Sequence, residues 1–83
     1  MTSTTMNFTI YTKDGCSYCS KIKQVLMALG ENFVEYKLNH DFDKDQFIAE
    51  FGNGSTFPRV LMNGQLLGGC NETIVYLRNK GLV

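Results

Sequence analysis

Apolar and polar positions along the 83 residues fall into short alternating runs and longer amphipathic ones. From Asn7 to Thr12, Phe8 and Ile10 alternate with Thr9 and Tyr11, the period of two that predicts a strand. From Ser17 to Leu29 the period lengthens. Ile22, Val25, Leu26 and Leu29 stand at i, i+3, i+4 and i+7, with Lys21, Lys23 and Gln24 on the other side. That spacing predicts an amphipathic helix with an apolar stripe turned to the core, stopped at Gly30. Alternation returns over Asn32 to Leu38, with Phe33, Glu35 and Lys37 on one side and Val34, Tyr36 and Leu38 on the other. Asp41, Asp43 and Asp45 then precede Phe47, Ile48 and Phe51, the order expected where carboxylates meet a helix N-terminus, and this helix should end at Gly52.

Gly52-Asn53-Gly54-Ser55 reads as a loop. After the apolar run Val60, Leu61, Met62, the pair Asn63-Gly64 predicts a tight hairpin, because both central residues accept positive φ; it joins Arg59–Met62 to Gln65–Gly68. Asn71 is the expected N-cap of a last helix carrying Ile74, Tyr76 and Leu77. The resulting order is β-α-β-α-β-β-α. A helical crossover makes the first two strands parallel with a right-handed connection, and the hairpin adds an antiparallel pair. The expected fold class is therefore α/β, a four-stranded mixed sheet flanked by helices on both faces. The length suits one core, so residues 1–83 are expected to form a single domain, with 1–6 as a frayed leader.

Composition narrows the function. Eight basic and eight acidic residues cancel without a basic stripe, so there is no electrostatic case for nucleic acid or an anionic membrane, and a small or neutral partner is the more natural one. The Ser/Thr-rich N-terminus has neither a charged n-region nor an apolar h-region, which argues against a signal peptide or a membrane span. Three cysteines make an odd count, against a secreted disulfide framework and for a reducing compartment, the cytoplasm.

The chemistry gathers at Cys16 and Cys19, between the first strand and the first helix. A helix start offers unpaired N–H groups and a partial positive charge, so a thiolate is favoured there over a thiol, and Lys13 adds a full charge nearby. Cys16, nearer solvent and the free amides, is the expected nucleophile, with Cys19 the more buried resolving thiol. It also lies at the carboxyl end of the first strand, where open α/β sheets place ligands. A zinc site is the weaker reading: four ligands are needed, and beyond the pair the chain offers only the distant Cys70 and the lone His40. A purely structural disulfide closing so short a loop would constrain the unfolded chain little. His40 reads as a solvated loop residue, and Lys21 and Lys23 as a solvated face or a basic rim near Cys16.

Four segments occur together: Ile10-Tyr11-Thr12-Lys13, Cys16-Ser17-Tyr18-Cys19, Thr56-Phe57-Pro58-Arg59-Val60 and Gly68-Gly69-Cys70-Asn71-Glu72. In this combination, from Met6 to Val83, the chain resembles a dithiol glutaredoxin. The resemblance implies a thioredoxin-like fold and glutathione-dependent reduction of protein disulfides and glutathione mixed disulfides. It implies that Lys13 stands beside the nucleophile and that Tyr18 flanks bound glutathione. Thr56-Phe57-Pro58 then matches the family's Thr-Val-Pro, with a cis proline and a preceding residue that pairs its backbone with the cysteine of glutathione. Gly69, Cys70 and Asn71 match the segment that captures the γ-glutamyl end, and Gln46 is the candidate for the glycyl carboxylate. Cys70 could contribute its backbone, pack as a small hydrophobe, or act as a third redox thiol.

Two residues depart from the commonest pattern. Ser17 stands where proline is usual, freeing an N–H near the sulfurs, and Phe57 stands where valine is usual, adding apolar bulk beside the groove. Some glutaredoxins without that proline carry an iron–sulfur cluster as a dimer, ligated in part by glutathione, which is the alternative function. A glutathione-independent, thioredoxin-like reductant is a third reading. A monomer acting on glutathione and on disulfide-containing or glutathionylated proteins is expected, ribonucleotide reductase being one family candidate.

Overall fold

The alternation in the first strand and the stripe of the first helix meet in one core. In the computed structural model, which describes residues 7–82, Phe8, Ile10 and Thr12 of β1 (Phe8–Thr12) point to the face covered by α1 (Ser17–Ala28) and α3 (Cys70–Asn79). The leader expected at residues 1–6 lies outside the described residues. Ile22 and Leu26 of α1, Leu77 and Cys70 of α3, and Val60 of β3 (Arg59–Met62) complete this layer. Each large aliphatic or aromatic side chain removed from water here contributes about 1.5–3 kcal/mol.

The sheet order is β2-β1-β3-β4, where β2 is Phe33–Lys37 and β4 is Gln65–Gly68. β1 runs parallel to β2 and antiparallel to β3, and β3 is antiparallel to β4. This is the expected α/β architecture and element order. The Asn63-Gly64 turn has φ of 52° and 85°, the left-handed pair that matches strand twist in a tight hairpin.

The opposite face of the sheet carries rings. Tyr11 meets Tyr36 at 5.4 Å, Phe42 at 5.2 Å and Phe51 at 4.9 Å between centroids. α2 (Lys44–Phe51) closes this side with Phe47 and Phe51. Its start is fastened by a capping box: Asp43 Oδ1 accepts the Gln46 N–H, and Gln46 Oε1 accepts the Asp43 N–H, both at 2.8 Å. Gly52 ends it, with φ of 99°.

The last helix starts earlier than expected. Gly69, not Asn71, is its N-cap, and Asn71 is an exposed residue inside the first turn. Glu72, three residues after Gly69, reaches back so that its Oε1 accepts the Gly69 N–H at 2.8 Å. Glu72 thus supplies the third-position half of a capping box, while Gly69 has no side chain to supply the other half.

Candidate active site at the start of the first helix

β1 delivers the chain to the active-site loop and α1 carries it away. Gly15, at φ 75°, makes the turn, and Cys16 follows in extended conformation as the N-cap of α1. Its sulfur accepts the Cys19 N–H at 3.1 Å, so one of the helix's orphan amides is aimed at Cys16 Sγ. Cys16 and Cys19 form a disulfide, with Cα atoms 5.2 Å apart. Cys16 is half-buried, whereas Cys19 is 2% exposed and continues the buried stripe of Ile22 and Leu26. The sulfur open to attack is thus the one under the helix amides.

One hollow is lined by the pair itself, and a second by Tyr18, which stands between the two cysteines in the chain. On the β2 side, one of about 370 Å³ is bordered by Cys16, Cys19, Thr12, Lys13, Lys23 and Glu35, among others. The Thr12 hydroxyl donates to Glu35 Oε2 at 2.6 Å, and Lys23 Nζ lies 3.1 Å from the same oxygen. The Thr12 hydroxyl and then Lys23 hold the Glu35 carboxyl below its ordinary range. Lys23 is therefore not part of a solvated face. This network escaped the sequence reading; the available signal was Lys23 one turn beyond Cys19 on the helix. At the rim Lys37 pairs with Asp14 at 3.1 Å. Lys13 Nζ lies over the Phe57 ring, 5.6 Å from its centroid.

On the β3 and α3 side, a groove of about 260 Å³ gathers Tyr18, Thr56, Phe57, Pro58, Gly69, Cys70 and Asn71, seven of the residues singled out above. The Phe57–Pro58 peptide is cis. Arg59 and Glu72, which sequence reasoning left without a role, complete the lining. Amides at the start of α3, its own and that of Gly69, lower the Glu72 carboxyl. The two glycines have steric causes. A Cβ on Gly68, whose φ is 123°, would stand 2.7 Å from Glu72 Cβ, and one on Gly69 would stand 3.1 Å from Glu72 Oε1 and 3.4 Å from the Pro58 carbonyl oxygen. Cys70 is 4% exposed, and burial pushes its thiol above the ordinary range, away from thiolate chemistry.

Gln46 is not brought to this groove. Its carboxamide oxygen serves the α2 capping box, and it borders a separate hollow with Tyr11, Tyr36 and Glu50 on the aromatic face.

A mixed sheet in this order with a helix-capping Cys-x-x-Cys defines a thioredoxin-like dithiol protein. A family model described as Glutaredoxin matches residues 8–67. Glutaredoxin 3 of Escherichia coli (strain K12) is 30% identical over 76 residues, covering 92% of each chain. Glutaredoxin-C6 of Oryza sativa subsp. japonica is 32% identical over 75 residues, covering 87% of this chain and 66% of that protein. A crystal structure of a buckwheat glutaredoxin–glutathione complex superposes with a TM-score of 0.75 at 26% identity, covering 90% of this chain and 71% of the other. The chain belongs to the glutaredoxin family, and its Cys16–Cys19 pair fits a dithiol, thiol–disulfide oxidoreductase site.

Proposed function

We propose that this protein is a glutathione-dependent reductase of protein disulfides and glutathione mixed disulfides, with Cys16 as nucleophile and Cys19 as resolving thiol. The observation that carries the reading is Cys16 Sγ at the cap of α1, accepting the Cys19 N–H while Cys19 itself is buried. A sulfur so placed gains as a thiolate, because an anion there meets the amide and the positive end of the helix.

Glutathione is a substrate in this scheme. Cys16 thiolate attacks the glutathione sulfur of a glutathionylated protein, the protein thiolate leaves, and Cys16 holds glutathione as a mixed disulfide. A second glutathione thiolate attacks that sulfur, glutathione disulfide departs, and Cys16 returns as a thiolate. With a protein disulfide, Cys16 forms the mixed disulfide and Cys19, once deprotonated, displaces the substrate thiol. The Cys16–Cys19 disulfide that results is reduced by two glutathione molecules. In this reading Thr56, Phe57 and Pro58 hold the cysteine of glutathione by backbone contacts. Gly69, Cys70 and Asn71 take its γ-glutamyl carboxylate at the start of α3, and Tyr18 and Lys13 flank it. Support comes from the groove that joins most of these residues and from the buckwheat relative, which was crystallised with glutathione. The odd cysteine count supports work in a reducing cytoplasm.

Activity on a small glutathione mixed disulfide tests the assignment. Cys16→Ser abolishes it, whereas Cys19→Ser retains it and loses reduction of protein disulfides. Wild-type turnover in Cys16→Ser refutes the choice of nucleophile. Oxidised protein reduced by a thioredoxin reductase but not by glutathione would instead select the thioredoxin-like alternative. A two-iron absorption spectrum after anaerobic reconstitution would select the cluster carrier.

A further inference from the structure

The lysines bordering the Cys16 hollow differ in what holds them. Lys23 from α1 is paired with Glu35 of β2, and Lys37 of β2 is paired with Asp14 of the loop, both at 3.1 Å. Across the groove Glu72 is coupled to Arg59. Lys13 has no acidic partner among the described residues, so of the three lysines bordering that hollow it is the one that no carboxylate neutralises. What it has is a ring: Lys13 Nζ lies 5.6 Å from the Phe57 centroid.

That ring is itself held. Phe57 stacks on Phe47 of α2 at 4.2 Å and 14°, and on Phe42 at 6.1 Å and 21°, while Phe47 is 4% exposed. The face of an aromatic ring carries negative potential and attracts an ammonium group, an attraction that an aliphatic side chain lacks. Lysine on its flexible stem otherwise spreads over many rotamers, leaving its charge far from the sulfur much of the time. Lys13 borders both the hollow that contains Cys16 and the one that contains Phe57, so a fixed ring can keep its charge between them.

We propose that Phe57 is a positioning residue: its ring, stacked on Phe47, anchors the Lys13 ammonium beside Cys16, so that the aromatic layer under α2 governs how strongly the nucleophile is activated. This deepens the assignment of Cys16 as nucleophile and rests on it. Phe57 thus acts on the reaction through its side chain, apart from any backbone contact it makes with glutathione.

The experiment is site-resolved alkylation of the reduced full chain by iodoacetamide across a pH series, with no glutathione present and with rates compared below the pH midpoint of Cys16, where they follow the thiolate fraction. Phe57→Leu slows Cys16 alkylation about threefold, the change expected from about half a pH unit in the thiol midpoint. Phe57→Tyr keeps the ring face and recovers most of the rate. Lys13→Gln slows the reaction at least as much, and adding Phe57→Leu to it changes nothing further. An equal loss from Phe57→Leu with and without Lys13→Gln overturns the proposal, as does a wild-type rate in Phe57→Leu. A wild-type Cys16 that reacts like an ordinary free thiol fails earlier, and sinks the nucleophile assignment instead. The unmutated protein supplies a second reading by NMR. The ε-methylene protons of Lys13 resonate upfield of free lysine if the side chain lies over the ring, and free-lysine shifts overturn the placement whether or not any variant folds.

Discussion

Glu72 shows how one side chain can set both a helix start and the shape of a groove. Its carboxylate accepts the Gly69 N–H at the cap, its stem fills the space where Gly68 would carry a Cβ, and its carboxylate oxygen crowds the same place at Gly69. Gly68→Ala is therefore expected to destabilise the fold by about 2 kcal/mol or more, from the left-handed backbone and the clash together, measured by urea unfolding. A change below about 0.5 kcal/mol would show that the loop relaxes freely. The pair of glycines was visible in the sequence as part of a ligand-binding segment, but the steric reason for glycine there was not. Asn71 was the expected cap because asparagine favours that role, and the competing signal was the carboxylate three residues after Gly69. Cys70 illustrates the same limit. Its spacing gave no sign of whether its thiol was open, and burial at 4% exposure settles that it packs in the core.

Between elements, Thr12, Lys23 and Glu35 tie β1, α1 and β2 together directly behind the cysteine pair. The folded state lowers the Glu35 carboxyl, mainly through the Thr12 hydroxyl and then Lys23. A lowered carboxyl adds stability that is complete above its unfolded value and disappears as pH falls through its folded value. Glu35→Gln is accordingly expected to cost about 1 kcal/mol near neutrality, with the gap closing below about pH 4. Chemical unfolding of both proteins between pH 3 and 7 checks this, and a gap independent of pH would mean that the carboxylate's charge plays no part. The α2 capping box has a parallel history. The acidic run announced a helix start, and Gln46, the candidate for a ligand carboxylate, has its carboxamide oxygen on the Asp43 N–H.

At the scale of the whole molecule, the sheet separates an aliphatic layer under α1 and α3 from an aromatic layer under α2, and the disulfide sits where β1 leaves both. Leu26 is fully buried in the first layer, one helical face with Cys19 and Ile22. Leu26→Ala should cost about 2–5 kcal/mol, a large share of the roughly 5–15 kcal/mol that holds a small domain folded. Thermal denaturation should show that loss; a transition shifted by less than about 4 °C would place Leu26 outside the cooperative core. The second layer reaches the chemistry by another route, through Phe47, Phe57 and Lys13.

The element order, the hairpin and the placing of Cys16 and Cys19 at a strand-to-helix junction were legible because they depend on periodicity and turn chemistry over a few neighbouring residues. Which distant side chains meet was not legible, since Lys23 and Glu35, or Lys13 and Phe57, become neighbours only when sheet order and helix packing bring their segments together. By itself the sequence determined that a reactive dithiol would open the first helix. Tertiary structure decided which charges and rings surround it, because electrostatic and aromatic contacts act through distance in space, and along the chain those partners stand far apart.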